Sequence, residues 1–161
     1  MFRLIDSPLG PLRLQASPRG LSRVEFTAAS ILQKEMGGVE EGDVGKRSAD
    51  VLDTAQAQLT EYFAGRRRSF ELPLDPPATT DFRAAVHAQL AEIGYGETVT
   101  YRDVAKLLGR PGATRAVGSA CGANPLLIVR PCHRVLRSDG GLGGYAGGLE
   151  AKRFLLTLEE N

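Results

Sequence analysis

The sequence predicts a mixed α/β chain built of two parts. Residues 2–17 alternate apolar and polar side chains around a Pro-Leu-Gly-Pro turn, a pattern typical of a β-hairpin, and 20–27 adds a third strand. Most of the later chain places apolar residues at helical spacing instead. Two consecutive prolines in the segment 75–80 bar continuation of either a helix or a sheet. We therefore expect an N-terminal domain over 1–74, a linker, and a C-terminal domain over 81–161.

Within the first domain, one helix is expected to accompany the strands. Residues 49–65 carry apolar side chains at helical spacing and end at a glycine. The preceding segment 33–48 is polar and glycine-bearing, which favours a loop. The short apolar segment 69–74 is expected to add one more strand.

The second domain is predicted to be largely helical. A helix is expected over 81–93, and Thr-x-x-Asp at 100–103 is typical of the start of another, which should stop at Gly109. After an Arg-Pro-Gly turn, 113–124 predicts a short helix, so the two helices read as a helix-turn-helix. The β-branched segment 125–136 predicts a buried extended chain, and 149–161 a final helix.

Composition excludes several classes of protein. With 42% hydrophobic and 24% charged residues, the chain of 161 residues can bury a core. It has no apolar run of membrane-spanning length and no secretory signal pattern, so we expect a cytoplasmic protein without membrane contact. Its two cysteines, Cys121 and Cys132, do not have the spacing of metal ligands. The glycine-rich stretch 138–148 is not a phosphate loop, because no Gly-Lys-Ser/Thr follows it. No cofactor is expected.

Charge and glycine patterning point to the C-terminal half. The net charge is only +1, yet 94–137 holds seven basic and two acidic residues. This excess predicts either a solvated helix face or a surface for an anionic partner. The helix at 113–124 is made mostly of small residues, which permits either tight core packing or close approach to a DNA groove, with Arg115 its only long side chain. The loop 138–148 is either a flexible linker or a segment whose backbone N–H groups approach a ligand.

The strongest chemical signal is the adjacent pair Cys132 and His133. A cationic or histidine-rich setting lowers a thiol pKa from about 8.5 and makes a nucleophilic thiolate. A buried structural cysteine is the alternative, and it describes Cys121 better. His87 lies within a helix, so His133 is the candidate base.

The segments NPLLIVRPCHRVL and GYAGGLEAKRFLLTLEE resemble the O6-alkylguanine-DNA alkyltransferases. The stretch YGETVTYRDVAKLLGRPGATRAVGSACGANP is similar to that family's helix-turn-helix, and parts of the N-terminal half match as well. The resemblance implies a ribonuclease-H-like α/β domain followed by a winged-helix-like domain that carries the active site. It also implies a monomer that binds double-stranded DNA through the minor groove, with cooperative loading left open. The lesion, O6-alkylguanine with O4-alkylthymine as a further candidate, would be flipped out of the helix, and its alkyl group would pass irreversibly to the cysteine.

The resemblance also implies roles for individual residues. In the catalytic set, Cys132 would be the alkyl acceptor and His133 its base, acting through a water. Glu159 would be the orienting carboxylate, and Tyr101 the donor to the leaving guanine. The substrate-binding set would be Val135, Tyr145, Ala146 and Asn124, of which Asn124 would organise the active-site turn. An intercalating finger and its helix would bind DNA through Arg115, Thr114, Ala116, Gly118 and Ser119. Arg134 would make a structural salt bridge.

Some positions depart from the family pattern. Arg130 stands where many relatives are aliphatic, and Ala146 where serine is common. His87 replaces a frequent tryptophan, so we expect a repacked or partly exposed helix position. The N-terminal half has neither cysteine nor histidine, so no zinc is expected.

Three other functions compete with alkyl transfer. A non-enzymatic lesion sensor of the same fold is opposed by Cys132, which such relatives replace. A sequence-reading winged-helix regulator is opposed by the scarcity of long polar side chains on the second helix. A cysteine hydrolase would need an oxyanion hole that the sequence does not reveal.

Overall fold

The computed structural model describes residues 1–27 and 42–161. These residues form two compact units, Met1–Pro77 and Ala78–Asn161, which are described separately. The predicted loop at 33–41 lies outside the described residues. In the described part of the chain, no helix combines the length and apolarity needed to cross a membrane.

The first unit packs one long helix on a small antiparallel sheet. The elements are β1 (Phe2–Ile5), β2 (Leu12–Ser17), β3 (Gly20–Phe26) and α1 (Gly42–Phe63). The strands pair in the order β1-β2-β3, which confirms the predicted hairpin and third strand. Alternate residues of β2 are buried, as the period of a half-buried strand requires. They meet the apolar face of α1, where Leu52, Leu59 and Tyr62 are buried.

Two expectations for this unit are wrong. The helix begins at Gly42 rather than at residue 49, because its buried face continues through the small residues Gly45 and Ser48, which carry no apolar signal. The segment 69–74 does not form a strand of its own and contributes only one parallel bridge, between Leu74 and Leu21 of β3. The side chain of Gln58 accepts from the Glu71 N–H (2.9 Å) and donates to the Glu71 carbonyl (2.8 Å), so these backbone groups have no need of a ladder.

The second unit is helical, with one short parallel ladder. Its elements are α2 (Asp81–Leu90), β4 (Val99–Thr100), α3 (Tyr101–Leu107), α4 (Thr114–Gly122), β5 (Val135–Leu136) and α5 (Leu149–Glu159). The predicted start of α3 is confirmed as a capping box. The Thr100 hydroxyl accepts from the Asp103 N–H and the Asp103 carboxylate from the Thr100 N–H, both at 3.0 Å. The pairing of Val99 with Val135 places α3 beside the Cys-His segment.

The helix α4 has one buried face and one exposed face. Val117, Ala120 and Cys121 are buried, and α4 packs against both α2 and α3. His87 of α2 is buried, and its Nε2 lies 2.8 Å from the Ala120 carbonyl, so of the two expected alternatives the structure shows the repacked position and not the partly exposed one. Among the small residues of α4, core packing therefore accounts for Ala120 and Cys121, whereas Ala116, Ser119 and Gly122 are exposed.

The predicted extended chain at 125–136 is wrong. The chain turns at 126–130 and then forms a short 3-10 helix over Cys132–Arg134. Asn124 forces the first turn, because its side chain accepts from the Leu126 N–H (3.1 Å) and donates to the Arg130 carbonyl (2.9 Å). Ile128 within the turn has a φ of 72°, a left-handed conformation that sequence periodicity cannot signal.

Candidate active site

A cavity of about 520 Å³ lies within the C-terminal unit. Its walls come from the start of α3, one side of α4, the 3-10 turn and the glycine-rich loop. The lining residues are Tyr101, Thr114, Arg115, Gly118, Cys121, Gly122, Cys132, Gly144, Tyr145 and Ala146. Concave sites of this size are typical of small-molecule or nucleobase recognition.

Cys132 opens the 3-10 turn and is only 4% exposed. Burial raises the pKa of its thiol, and this effect outweighs the hydrogen bond from Asn124 and the charge of Lys152, which both act to lower the pKa. The sequence-based expectation of a lowered thiol pKa is therefore wrong for the resting site. A protonated thiol at this position needs a base before it can act as a nucleophile.

His133 is fully buried behind Cys132. Its Nε2 lies 2.8 Å from Oε1 of Glu159, so we assign the ring proton to Nε2 and leave Nδ1 as an acceptor. Nδ1 is buried and has no hydrogen-bond partner within the described protein. Burial lowers the pKa of His133, although the Glu159 carboxylate acts to raise it. The imidazole is therefore neutral near pH 7 and can accept a proton.

Glu159 is held by a guanidinium fork. Arg134 donates from Nε to Oε2 and from Nη2 to Oε1, each at 2.8 Å, and its Nη1 donates to the Ile93 carbonyl at 2.6 Å. Two parallel donors fix both the position and the orientation of a carboxylate. The expected salt bridge of Arg134 is present, so this residue belongs to the interior and not to the basic surface. His133 thus rests on a carboxylate that cannot rotate away.

Lys152 of α5 is buried beside the cavity. Its Nζ donates to the carbonyl of Val135 (2.7 Å), to that of Gly144 (3.2 Å) and, at a very short distance, to that of Leu142. It also lies 3.4 Å from Oη of Tyr101. Within the described residues no carboxylate lies at ion-pair distance from this ammonium. Burial lowers the pKa of Lys152, against the opposing influence of the nearby thiols.

Tyr101, the first residue of α3, points its phenol towards the same loop. Its Oη lies 3.4 Å from the Gly144 carbonyl, and burial raises its pKa to about 12. Gly143 has a φ of 72°, and a Cβ at that position would lie 2.7 Å from Oη of Tyr101. Only glycine lets the loop backbone run this close to the phenol.

Family comparison gives two matches that together span nearly the whole chain. The family model for the 6-O-methylguanine DNA methyltransferase ribonuclease-like domain matches residues 1–76. The model for the DNA binding domain of the same family matches residues 81–161. The chain belongs to the 6-O-methylguanine DNA methyltransferase family.

Similar proteins of this family come from archaea and bacteria. A methylated-DNA–protein-cysteine methyltransferase of Methanosarcina barkeri is 43% identical over 160 residues, which cover 99% of this chain and 97% of that protein. An inducible one of Bacillus subtilis is 47% identical over 111 residues, covering 69% and 62%. The crystal structure of Mycobacterium tuberculosis OGT in complex with DNA aligns with a TM-score of 0.82 at 40% identity, covering 99% of this chain and 92% of that one. The fold class expected from the sequence is confirmed.

In this 6-O-methylguanine DNA methyltransferase family member, the residues named from the sequence fall into two groups. Tyr101, Thr114, Arg115, Gly118, Cys132, Tyr145 and Ala146 line the cavity. His133, Glu159, Asn124 and Val135 are buried and do not line it. Ala116 and Ser119 are exposed on α4 away from the lining. The first group therefore forms part of the cavity wall, and the second forms a buried layer of residues in the same unit.

Sequence reasoning missed two residues of this site in the methyltransferase family member. Lys152 was passed over because lysine on a helix is normally exposed. A usable signal existed, since Lys152, Leu155 and Glu159 recur at the spacing of the buried face of α5. Cys121 was assigned a structural role only, yet it lines the cavity with Cys132. In the part of the chain that the structure describes, no three His, Cys, Asp or Glu side chains cluster as a metal site.

Proposed function

We propose that this chain repairs DNA by moving an alkyl group from O6 of guanine in a duplex to Sγ of Cys132, once per molecule. The observation that carries the proposal is the buried relay behind the cavity, in which His133 joins the acceptor turn to Glu159 and Arg134. A thiol at the cavity wall with a neutral base behind it is the arrangement that thiol alkylation requires. The methyltransferases reported above, which share about two fifths of its residues, support this activity.

The relay provides a route for the thiol proton. Burial keeps Cys132 protonated, so the proton must leave as the alkyl group approaches. We assign its removal to Nδ1 of His133 through one bridging water, while Glu159 holds Nε2–H and stabilises the imidazolium that forms. Sγ then attacks the alkyl carbon, the S–C bond forms, and the O6–C bond breaks with guanine as the leaving group. The thioether product has no easy leaving group, so the protein acts once.

Tyr101 and Lys152 act on the leaving guanine and on the thiolate. A phenol whose pKa is about 12 stays protonated at neutral pH, so Tyr101 can donate to the flipped base as it departs. The ammonium of Lys152, 3.4 Å from Oη, stabilises the negative charge that then develops. Its charge also favours the thiolate of Cys132 over the thiol.

The edge of the guanine is read by backbone groups. The Val135 carbonyl already accepts from Lys152, and the Cys132 carbonyl from the Val135 N–H. A carbonyl oxygen has two lone pairs, so each keeps one for the exocyclic amine of the base. Tyr145 walls the alkyl group, and the N–H of Ala146 faces the O6 position.

The exposed face of α4 is the DNA-docking surface. Arg115 is exposed and lines the mouth of the cavity, where its side chain can enter the duplex and occupy the place of the flipped base. Thr114, Ala116, Gly118 and Ser119 then approach the minor groove, with Arg102, Lys106 and Arg110 placed for phosphate. We propose that a monomer acts in the cytoplasm, where Cys121 and Cys132 stay reduced.

Arg115→Ala is expected to slow transfer from duplex DNA by roughly 10-fold to 100-fold, because the flipped state loses the side chain that replaces the base. Transfer from free O6-benzylguanine, which needs no flipping, is expected to change little. Single-turnover rates with both substrates measure this difference. Lys106→Ala serves as the matched control: loss of one phosphate contact should lower duplex affinity and its salt dependence, while the transfer rate at saturating duplex stays near that of the native protein. Equal loss with both substrates would make Arg115 a structural residue.

Intact-mass spectrometry tests the proposed function directly. Protein mixed with a duplex that carries one O6-methylguanine is expected to gain one methyl group, located on the peptide that holds Cys132. A methyl on the Cys121 peptide would contradict the assignment. Tight lesion binding without any mass gain would identify a lesion sensor instead.

A further inference from the structure

Cys121 is a second thiol that the proposed reaction does not use. It lies on the buried face of α4, close to the C-terminal end of that helix. It lines the same cavity as Cys132, and both are free thiols. Two nucleophilic sulfur atoms therefore face one space that is proposed to hold an alkyl group.

The two thiols share their electrostatic neighbours. Each acts to raise the pKa of Tyr101 and that of Lys152. Burial, followed by the proximity of Cys132, raises the pKa of the Cys121 thiol to about 12. In the described part of the chain, no histidine or carboxylate is hydrogen-bonded to Cys121, in contrast to the relay behind Cys132. Cys121 therefore lacks a base that could begin a transfer, but it lines the cavity in which the product forms.

We propose that Cys121 is a second alkyl acceptor, specific for O6-guanine adducts that carry a haloethyl group. This inference rests on the proposed function, which supplies the first step. Cys132 displaces guanine and becomes a thioether with a halide on the far carbon. The thioether sulfur then displaces the halide, which leaves as an anion, and a three-membered sulfonium ring forms. Sulfur of Cys121 opens the ring by attack on one carbon, its proton passes to water, and an ethylene group bridges the two sulfur atoms.

The geometry favours capture by Cys121 over the competing reactions. A sulfonium ring is a strong electrophile, so an un-ionised thiol suffices as its partner. Water and DNA bases also react with it, but Cys121 is held in the same cavity, and such confinement corresponds to a high effective concentration. No oxidation or external reactant is needed. The bridged product leaves no electrophile next to the DNA. A sulfonium ring that Cys121 does not capture can instead cross-link the protein to its substrate.

Ethylene dibromide, which delivers the same two-carbon unit, tests the capture step in the full-length protein. Peptide mass mapping is expected to find Cys121 and Cys132 joined by an ethylene bridge. Cys121→Ser and Cys121→Ala are expected to lose the bridge entirely and to carry a hydroxyethyl thioether on Cys132. Cys132→Ser is expected to leave Cys121 unmodified, which establishes the order of the steps. A hydroxyethyl thioether in the native protein, with Cys121 still a thiol, would overturn the proposal.

Two further experiments distinguish a failure of the proposed function from a failure of the proposal about Cys121. The same preparation is mixed with a duplex that carries O6-methylguanine, so an absent methyl gain marks failure of the proposed function and not of Cys121. A duplex freshly treated with a chloroethylating agent is expected to yield the bridged peptide as well. A bridge formed with ethylene dibromide but not with this duplex would refute the assignment to haloethyl lesions.

Discussion

Cys132→Ser is expected to abolish alkyl transfer completely while a lesion-bearing duplex still binds. A serine hydroxyl is a far weaker acid than a thiol, so the neutral imidazole of His133 cannot activate it. The change is small and leaves the relay from His133 to Glu159 intact. Intact mass should show no methyl gain at any incubation time, and a duplex-binding assay should show an affinity near that of the native protein.

Cys121→Ser is the matched control for this experiment, because it makes the same atomic change on the same cavity. It is expected to keep a methyl gain on the Cys132 peptide. A serine variant at position 132 that still gained a methyl group would place the acceptor elsewhere. Loss of duplex binding in that variant would mean that the cysteine supports the fold of the docking surface.

Lys152→Met is expected to lower both stability and transfer rate. Without the ammonium, the carbonyls of Val135, Leu142 and Gly144 lose a shared donor, and each buried unsatisfied group costs about 1–3 kcal/mol. Loss of a preorganised charge beside Tyr101 and Cys132 is expected to slow transfer by roughly 100-fold or more. Denaturant unfolding and single-turnover rates, taken at a temperature where circular dichroism shows a folded variant, measure the two effects.

Lys106→Met provides the comparison for Lys152, because Lys106 is an exposed lysine of α3 in the same unit. It should change neither stability nor transfer from the free base. The pH dependence distinguishes electrostatic from merely structural loss at Lys152. Removal of the ammonium should raise the thiol pKa further, so the rate of the variant should keep rising at higher pH than that of the native protein. An unchanged pH profile would leave Lys152 with a packing role only.

Local patterns predicted those parts of the molecule that local chemistry determines. The capping box of Thr100 and Asp103, the β2 alternation and the helical spacing of α5 each depend on residues a few positions apart. Patterns failed where a distant side chain decides the backbone. Asn124 turns a β-branched segment into a compact loop, and Gln58 satisfies the backbone of a segment that composition describes as a strand.

The candidate site was predicted unevenly for the same reason. Cys132 and His133 are adjacent in sequence, so the pair was visible. The raised pKa of the Cys132 thiol could not be predicted from the sequence, because burial by several elements outweighs the charges that flank the residue in sequence. Arg134 adds to the basic excess of 94–137, and only the resemblance implied its structural salt bridge, because its partner Glu159 lies 25 residues away on α5. Lys152 was absent because its role depends on three carbonyls of other segments.

The glycines of α4 carry a cost that the folded chain does not explain. A Cβ added to Gly118 or Gly122 would meet no atom within 4 Å, so neither position requires glycine for packing. Glycine within a helix is less stable than alanine by about 1 kcal/mol. The helix α4 is therefore less stable than it would be with alanine at these positions, and its outer surface is flat. In the proposed complex with DNA, the stability of this helix and its access to the groove are opposed, and a variant selected for heat resistance would gain the first at the expense of the second.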